Sequence, residues 1–283
     1  MQFELHPGER LDDLQRDGAK LIQNPALFCF GMDAVLLSAF AEEYVRPQSR
    51  LLDLCSGTGI ISILMNTRWQ DSRRKTEPVW QDSRNALEPE GQDGRGGPAG
   101  GPQADRAHPD FLGIEINSMC VDMARRSAAG NGQEAYVHFR KGDLRNIREL
   151  IDAASFDIVT VNPPYMIGGH GLVGGNEALT VARHEVMCSL DDVCAAAGYA
   201  LRPQGRLCMV HRPFRLADIF RSLNAHGLEP KRLRMVQPTA DKEPNMVLVE
   251  AVRGGRPRLK VERPLVIYGR PGVYTDEVRQ LYG

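Results

Sequence analysis

The string with the most specific chemistry is Asn162–Tyr165, which directly follows an aliphatic run. Pro163 and Pro164 fix φ at about −65° and bias the residues before them away from helix, so the string forms a stiff extended turn. The side-chain oxygen of Asn162 and the carbonyl of Pro163 can then both accept hydrogen bonds from one amino group. Tyr165 offers a ring on which a flat heterocycle can stack. The pattern predicts a catalytic group that holds an exocyclic amine in position to react.

An amine conjugated to a ring is a weak nucleophile because its lone pair is delocalised. Two hydrogen-bond acceptors counter this weakness, because the nitrogen becomes positive as the new bond forms and the attraction grows in the transition state. No preassembled general base is needed, since the proton leaves after the transfer. The chemistry predicted for Asn162 and Pro163 is the transfer of a methyl group to nitrogen.

A second pattern could hold the methyl donor. At Leu51–Ile60 an apolar strand runs straight into a Gly-rich turn, which is how open α/β sheets build nucleotide-type sites. Dinucleotide sites use similar turns, but the third glycine of their pattern would fall on Ser62, and no Lys-Ser/Thr pair for phosphates follows. The residues assigned to the donor at this turn are Asp53, Cys55, Ser56, Gly57, Thr58 and Gly59.

Two further carboxylates follow the next two strands. Glu115, with Ile116 beside it, is placed to accept hydrogen bonds from both hydroxyls of a ribose. Glu115 is further from Gly59 than the usual separation of about twenty residues. If residues 68–110, whose composition is typical of an inserted segment, are left out, the separation becomes normal. Asp143 could accept a hydrogen bond from an adenine amino group, while Leu144 offers its backbone N–H. The order of the three motifs predicts a donor that contains adenosine.

These motifs need a sheet that places them along one edge. From Leu51 onward, short aliphatic runs alternate with longer amphipathic stretches, which is typical of βα repeats. The sequence predicts an α/β, Rossmann-like fold with a seven-stranded, mainly parallel sheet and helices on both faces. The predicted strands are Leu51–Leu54, Phe111–Ile116, Tyr136–Arg140, Phe156–Asn162, Arg206–His211, Lys231–Val236 and Met246–Val252.

Three segments flank or interrupt this series. Residues 1–48 are expected to form an N-terminal hairpin and helix, and residues 254–283 a tail that packs on the central domain of residues 49–253. Residues 68–110 are predicted to be a disordered insertion, with a repeated Trp-Gln-Asp-Ser-Arg string and a stretch rich in Gly, Pro and Gln. Such a composition cannot bury enough apolar surface to order itself.

Composition gives no overall attraction to nucleic acid, because 35 Lys and Arg stand against 36 Asp and Glu. A local basic patch is nevertheless predicted, since the residues from Arg202 to the end contain sixteen Lys and Arg against eight Asp and Glu. The candidates for phosphate contacts are Lys231, Arg232, Arg234, Arg256, Arg258 and Lys260.

Metal, secretion and membrane classes are not favoured. The six cysteines are scattered without metal-ligand spacing, so no metal site is predicted and the thiols are expected to be reduced. No secretory signal and no apolar run long enough to cross a bilayer is present, so the expected location is the cytoplasm.

Taken together, the motifs resemble those of class I methyltransferases that act on amino nitrogens. Outside them, further strings look like the bacterial tRNA1(Val) (adenine-37-N6)-methyltransferase family. These strings are Leu14-Gln15, Leu21–Gln23, Phe28–Gly31, Asp33–Phe40 and Tyr274–Val278. The similarity extends over nearly the whole chain except Arg68–Asp110, which departs from the family as an insertion.

The resemblance implies methyl transfer from S-adenosylmethionine to N6 of an adenine beside the anticodon, with release of S-adenosylhomocysteine. It places Asp53 and the Gly-rich turn at the methionine part of the donor, Glu115 at the ribose, and Asp143 and Leu144 at the adenine. Asn162–Tyr165 then hold the target base. Phe30 and Asp33 match the entry segment of the family and are expected to line the cofactor site.

The resemblance also implies tRNA as the partner, with no membrane and no obligate protein partner, and a monomer or homodimer. The motif alone leaves other acceptors open: the glutamine of a release factor, a guanine N2 of ribosomal RNA, or an adenine of DNA. A non-catalytic RNA-binding protein with a methyltransferase fold is the alternative from another class, and intact Asp53, Glu115 and Asn162 argue against it. A nicotinamide dehydrogenase is disfavoured by Ser62.

Overall fold

The N-terminal segment forms a hairpin and a helix. The computed structural model describes residues 2–27, 29–76, 107–164 and 188–282. Strands β1 (Arg10–Asp13) and β2 (Lys20–Gln23) pair antiparallel, and helix α1 spans Met32–Glu42. The backbone N–H of Ile22 donates to the Ser127 hydroxyl at 2.9 Å, and Ile22 is fully buried. The hairpin is therefore docked onto the helix that contains Ser127.

Seven longer strands form the centre of one sheet. They are β3 (Arg50–Leu54), β4 (Asp110–Glu115), β5 (Val137–Lys141), β6 (Phe156–Val161), β7 (Leu201–His211), β8 (Leu228–Gln237) and β9 (Met246–Arg253). Their order is β8-β9-β7-β6-β3-β4-β5, and only β9 runs antiparallel to its neighbours in this series. All seven predicted strands and the mainly parallel sheet are confirmed. The largest difference is at β7, which begins at Leu201.

Successive residues of a strand point to opposite faces, so the sheet carries two apolar layers. In β3, Leu51 belongs to one layer and Leu52 to the other. The first layer packs against α1, α2 (Ile60–Thr76) and α3 (Ser118–Gly130). The second packs against α4 (Ile147–Leu150), α5 (Leu190–Ala200) and α6 (Leu216–Ala225). Helices on both faces, as predicted, result from this alternation.

Side chains at two helix starts fix the turns that precede the helices. Asn117 accepts hydrogen bonds from the N–H groups of Met119 and Cys120 and so caps α3 directly after β4. Ser189 and Asp192 form a reciprocal capping box at the start of α5. Both caps lie at the edge of the sheet where the strands β3 to β6 end.

The tail after β9 packs on the sheet and on α1. Strands β10 (Lys260–Val261) and β11 (Leu265–Val266) pair parallel with β8, and β12 (Tyr268–Arg270) pairs with β13 (Val273–Tyr274). Helix α7 (Asp276–Tyr282) follows, and Val278 in it is fully buried in the first layer. Among the helices within the described ranges, none has the length and apolar character needed to cross a bilayer.

The bounds of the predicted insertion need correction at both ends. Helix α2 continues to Thr76, and within it Arg68 is 2% exposed, pairs with Glu42 at 3.4 Å and donates to the carbonyl of Leu281. Trp69 packs against the first apolar layer. Long side chains such as that of Arg68 can bury their apolar atoms while their polar groups lie near partners or solvent. The amino-acid composition of the segment does not reveal this packing.

At the other end of the predicted insertion, the carbonyl of Ala107 accepts a hydrogen bond from Gln48 at 3.1 Å. The ring of His108 stacks on Tyr136 with centroids 3.7 Å apart. The ends of the segment are thus packed on the domain. Residues 77–106, for which disorder is predicted from composition, lie outside the described residues.

Candidate active site

The carboxyl ends of four neighbouring parallel strands bring the predicted motifs together. The strands are in the order β6-β3-β4-β5, with Leu54 in register with Val161 and Glu115 with Lys141. Cys55 and Asn162 are therefore the next residues after two paired strand ends. This edge of an open α/β sheet is where such folds bind nucleotides.

The Gly-rich turn after β3 needs left-handed backbone at three positions. Cys55, Gly57 and Gly59 have φ of 57°, 53° and 86°. A Cβ on Gly59 would lie 2.4 Å from the ring of Phe139, so only glycine lets the turn pack this closely on β5. A Cβ on Gly57 would meet nothing within 4 Å. The turn therefore packs against Phe139 at Gly59, whereas the backbone at Gly57 borders open space.

Glu115 links this turn to the next strand. Its two carboxylate oxygens accept hydrogen bonds from the N–H groups of Gly57 and Asn117, each at 2.9 Å. Burial raises the pKa of Glu115, while these backbone donors act in the opposite direction. An ionised carboxylate has about four acceptor sites, so the held oxygens can accept further hydrogen bonds from a diol.

Asp53 lies deeper than the sequence suggests. It is 2% exposed, and its carboxylate accepts from the hydroxyls of Thr160 at 2.8 Å and Ser62 at 3.5 Å. Burial raises the pKa of Asp53 to about 7, against the lowering effect of the two hydroxyls. The carboxylate thus ties β3 to β6 and to α2 underneath the Gly-rich turn.

Asp143 follows β5 at the other side of Glu115. Its carboxylate accepts the backbone N–H of Arg145 at 2.9 Å and pairs with the Arg145 guanidinium, which lowers the pKa of Asp143. Leu144 is 6% exposed and begins a short 3-10 turn that leads into α4. Ile116, next to Glu115, is half-buried.

The contact between Asn162 and Asp33 joins β6 to α1. The side-chain nitrogen of Asn162 donates to a carboxylate oxygen of Asp33 at 3.0 Å. The other oxygen of Asp33 accepts the N–H of Ala34 at 3.0 Å, and Asp33 is 9% exposed. A carboxylate can only accept, so the Asn162 nitrogen, and not its oxygen, must face Asp33, and this contact sets the orientation of the amide. Sequence reasoning placed Asp33 at the cofactor and did not foresee this contact.

A residue that the sequence reasoning missed, Gln23, brings the N-terminal segment over the turn. Its amide nitrogen donates to the hydroxyl of Thr58, and its oxygen accepts the N–H of Phe30 at 3.2 Å. Gln23 is fully buried, and Phe30 is half-buried against the first apolar layer. Gln23 ends the Leu21–Gln23 string that resembles the family, but that string gives the residue no role, because its partner Thr58 is far away in the sequence.

The remaining members of the catalytic string are only partly described. Pro163 is buried and Pro164 is exposed at the rim of the site. Tyr165 lies outside the described residues. On the opposite side of the turn, the sulfur atoms of Cys55 and Cys188 are 3.8 Å apart, so the start of α5 also contacts the Gly-rich turn.

The basic patch predicted from the last third of the chain needs correction, because three of its six candidates pair with carboxylates. Lys260 pairs with Glu262 at 3.1 Å. Arg232 pairs with Glu43 at 2.7 Å and Glu262 at 2.9 Å, and its guanidinium lies 4.3 Å from the ring centre of Phe40. Arg234 pairs with Glu277 at 2.5 Å. The charges of Arg232 and Arg234 are neutralised by Glu43, which directly follows α1, and by acidic residues of the tail, all distant in sequence.

The residues along this edge fit an adenosine-containing sulfonium donor. The buried Ser56 hydroxyl has no hydrogen-bond partner among the described residues, and the backbone at Gly57 faces open space. Glu115 can hold a ribose, and Leu144 and Asp143 lie one strand further along for a base. This chain therefore supplies polar groups for each part of S-adenosylmethionine.

Known proteins resemble this chain in sequence and in fold. The tRNA1(Val) (adenine(37)-N6)-methyltransferase of Porphyromonas gingivalis is 27% identical, over 89% of this chain and 86% of the relative. The protein of the same name from Aeromonas hydrophila is 26% identical, over 89% of this chain and 87% of the relative. The crystal structure of a predicted O-methyltransferase from Agrobacterium tumefaciens superposes with a TM-score of 0.62, covering 89% of this chain and 95% of that one at 18% identity. The Rossmann-like class I methyltransferase fold is thereby confirmed.

A family model described as UPF0020, RMKL-like methyltransferase domain, matches residues 40–198, which is more than half of the chain. The matched range contains the Gly-rich turn, Glu115, Asp143 and Asn162. The match confirms the predicted enzyme class and S-adenosylmethionine as the methyl donor. The chain therefore belongs to the UPF0020 family of RMKL-like methyltransferase domains.

Proposed function

We propose that this protein transfers the methyl group of S-adenosylmethionine to the N6 amine of an adenine in tRNA, at the adenosine next to the anticodon. The observation that carries the proposal is the Asn162–Asp33 hydrogen bond, because an Asn162 amide whose nitrogen donates to Asp33 would present its oxygen, and not its nitrogen, to an incoming amine. The choice of acceptor is supported by relatives named tRNA1(Val) (adenine(37)-N6)-methyltransferase, which match this chain over 89% of its length. Such a substrate agrees with the expected cytoplasmic location.

Asn162 and Pro163 would act on the target amine. The Asn162 oxygen and the Pro163 carbonyl each accept one N–H of the amine, which leaves its lone pair to point out of the ring plane. As the amine nitrogen becomes positive, both acceptors stabilise it more strongly than they stabilise the neutral amine. When bound, S-adenosylmethionine supplies an electrophilic methyl group on a sulfonium sulfur.

Asp33 would act through Asn162 and not on the amine. If the Asn162 side-chain amide were rotated by 180°, its N–H groups would face the N–H groups of the substrate amine. Two donors cannot form a hydrogen bond, so the amine would not be held. The Asp33 carboxylate can accept from the Asn162 nitrogen but cannot donate to the Asn162 oxygen, so it disfavours that orientation of the amide. A group held in place before the substrate arrives needs no reorganisation during the reaction.

Residues at the ends of different strands would bind different parts of S-adenosylmethionine. Glu115 accepts from the ribose hydroxyls, the turn at Cys55–Gly59 holds the methionine part, and Asp143 with Leu144 holds the adenine. Asp53 would support the turn from below through Thr160 and Ser62. Tyr165, by its place in the motif, would stack on the target base after that base has left its own stack.

The acceptor can be tested with substrates offered side by side. The purified protein and labelled S-adenosylmethionine are incubated with tRNA from cells that lack the modification, with ribosomal RNA, with DNA, and with a release factor. We expect label in tRNA alone and N6-methyladenosine in its nucleoside digest by mass spectrometry. Label in the release factor or in ribosomal RNA, with none in tRNA, would replace the proposed acceptor.

A further inference from the structure

The turn between β7 and α6 exposes an aromatic ring at the edge of the sheet that carries the active site. We define residues Arg212–Arg215 as the Phe214 corner. Phe214 is 66% exposed. The other exposed large apolar side chains of the described residues are Leu5, Met119, Leu259, Val261 and Val273, none of which is aromatic. A large aromatic ring held in water is the type of residue that contributes to binding surfaces.

The corner lies beside the catalytic string. Strand β7 pairs parallel with β6, with Met209 in register with Val161. The residues after Val161 are Asn162 and the prolines, and those after Met209 lead within a few positions to Phe214. Adjacent strands are about 4.8 Å apart, so the two turns leave the sheet side by side.

Hydrogen bonds hold the corner in shape. The Arg212 guanidinium donates to the carbonyl of Asn245 at 3.0 Å, and the Arg212 N–H donates to the ring of His211 at 2.7 Å. Arg215 donates to Asp218 at 2.9 Å, and Pro213 begins a 3-10 turn that continues into α6. Phe214 is therefore presented by a fixed backbone and loses little conformational entropy on binding a partner.

The surroundings of the ring are positively charged. Residues 212–221 contain three arginines and a single carboxylate, Asp218. The pKa of His211 is lowered to about 4, first by burial and then by the charge of Arg215 and, more weakly, of Arg212. His211 is thus neutral at physiological pH, and the arginines give the corner a net positive charge suited to a polyanion.

We propose that Phe214 stacks on the base of a nucleotide that neighbours the target adenine, while Arg212 and Arg215 face the phosphates on either side. This inference rests on the proposed RNA substrate and extends it to a second base. A single exposed ring with flanking guanidinium groups matches a flat base on a charged backbone, since each base offers a π face whatever its identity. A peptide partner would be anchored by several apolar side chains together, whereas Phe214 is the single aromatic residue among the exposed large apolar side chains of the described residues.

Fluorescence of a base analogue tests the contact directly. An RNA stem-loop that contains the target adenine carries 2-aminopurine, a fluorescent analogue of adenine, at the neighbouring loop position. Stacking quenches its emission. We expect the wild-type protein to quench it, Phe214→Trp to keep the quenching, and Phe214→Leu to lose it while its KM for the stem-loop rises by about tenfold. The affinity for S-adenosylmethionine and kcat should stay within about twofold, because the proposed contact of the ring is with the RNA alone.

Val261→Ala is the matched control, since Val261 is equally exposed but lies on β10 at the outer edge of the sheet. It should leave the KM for RNA unchanged. If Phe214→Leu quenches and methylates like the wild type, the Phe214 corner is not a nucleotide site, while the proposed tRNA activity stands. If the wild-type protein methylates no RNA, the proposed function and this inference both fall.

Discussion

At the scale of single residues, the contact between Asp33 and Asn162 has the clearest consequence for catalysis. Asp33 belongs to the N-terminal helix, which is not part of the parallel-sheet motifs, and the contact sets the orientation of the Asn162 amide. Asp33 is therefore proposed as a positioning residue. The contact with Asn162 adds a second role to the expected position of Asp33 beside the cofactor, which stays a prediction.

Asp33→Ala should lower kcat by about tenfold, the loss typical of one charge-assisted hydrogen bond, while the affinity for S-adenosylmethionine changes little. Asn162→Ala should lower kcat further, by about a hundredfold, because it removes the acceptor itself. Single-turnover rates and calorimetric titration of the cofactor measure the two quantities separately.

Asp33→Asn provides the control for that experiment. It keeps the size of the side chain and an oxygen that can accept from Asn162, so it should retain more activity than Asp33→Ala. A weakened affinity for S-adenosylmethionine with unchanged kcat would return Asp33 to the cofactor site. The melting temperature of both variants should also be measured, because Asp33 accepts the N–H of Ala34 and its loss could affect stability as well as activity.

The raised pKa of Asp53 should make the stability of the protein depend on pH. Its pKa is raised to about 7 by burial, so between about pH 4 and pH 7 the folded chain holds a proton that the unfolded chain has released. The free energy of unfolding should therefore fall as pH rises through this window, by up to about 1.4 kcal/mol per pH unit from this group. Urea unfolding of the wild type and Asp53→Asn across the window checks this. Equal pH dependence in both proteins would show that Asp53 titrates at its ordinary pKa.

At the scale of elements, the turn between β3 and α2 has two glycines with different tasks. Gly59 is packed against Phe139 of β5, while Gly57 borders open space and donates to Glu115. Both have left-handed backbone, so the cost of a side chain in that conformation is common to the two positions. A comparison of alanine substitutions at the two positions therefore separates the effect on packing, at Gly59, from the effect on ligand binding, at Gly57.

Gly59→Ala should destabilise the fold by about 1–3 kcal/mol more than Gly57→Ala, because its Cβ would overlap the Phe139 ring. Gly57→Ala should instead weaken binding of S-adenosylmethionine more than it weakens folding. Chemical unfolding and calorimetry on both variants test the pair. Phe139→Leu combined with Gly59→Ala should recover part of the lost stability; no recovery would mean that the strain lies in the backbone.

At the scale of the whole molecule, one apolar layer joins the N-terminal segment, the sheet and the tail. Leu21 of the hairpin, Leu51 of β3 and Val278 of α7 belong to the same buried cluster. Arg68 connects α1 to the carbonyl of Leu281 near the end of the chain. The flanking segments are thus built into the core of the methyltransferase domain.

The corrected bounds of the insertion lead to a deletion experiment. Replacing residues 77–106 by a short Gly-Ser linker should leave the melting temperature and the methylation rate nearly unchanged, because their composition cannot bury a core. Removing residues 69–108 should destabilise the protein, since this deletion also removes Trp69 and the His108 ring that stacks on Tyr136. Equal melting temperatures for the two deletions would contradict the packing seen at these ends. Loss of tRNA binding alone in the shorter deletion would give the segment a role in substrate recognition.

The sequence by itself determined the seven strands, the Gly-rich turn and the string at Asn162, because these features depend on local chemistry. Aliphatic runs with βα spacing predict parallel strands, and consecutive prolines predict a stiff turn. Parallel pairing then brings the strand ends to one edge whatever lies between them, so even a misplaced insertion boundary left the motifs in the correct order.

Only the tertiary structure decided which polar groups meet across the chain. Asp33 reaches Asn162, Gln23 reaches Thr58, and Asp53 is used by Thr160 beneath the turn. It also showed that Arg232 and Arg234 are neutralised by distant carboxylates. The physical reason is that a hydrogen bond or an ion pair depends on separations of a few ångströms between side chains, and residues far apart in sequence acquire such separations only when the elements that carry them pack together.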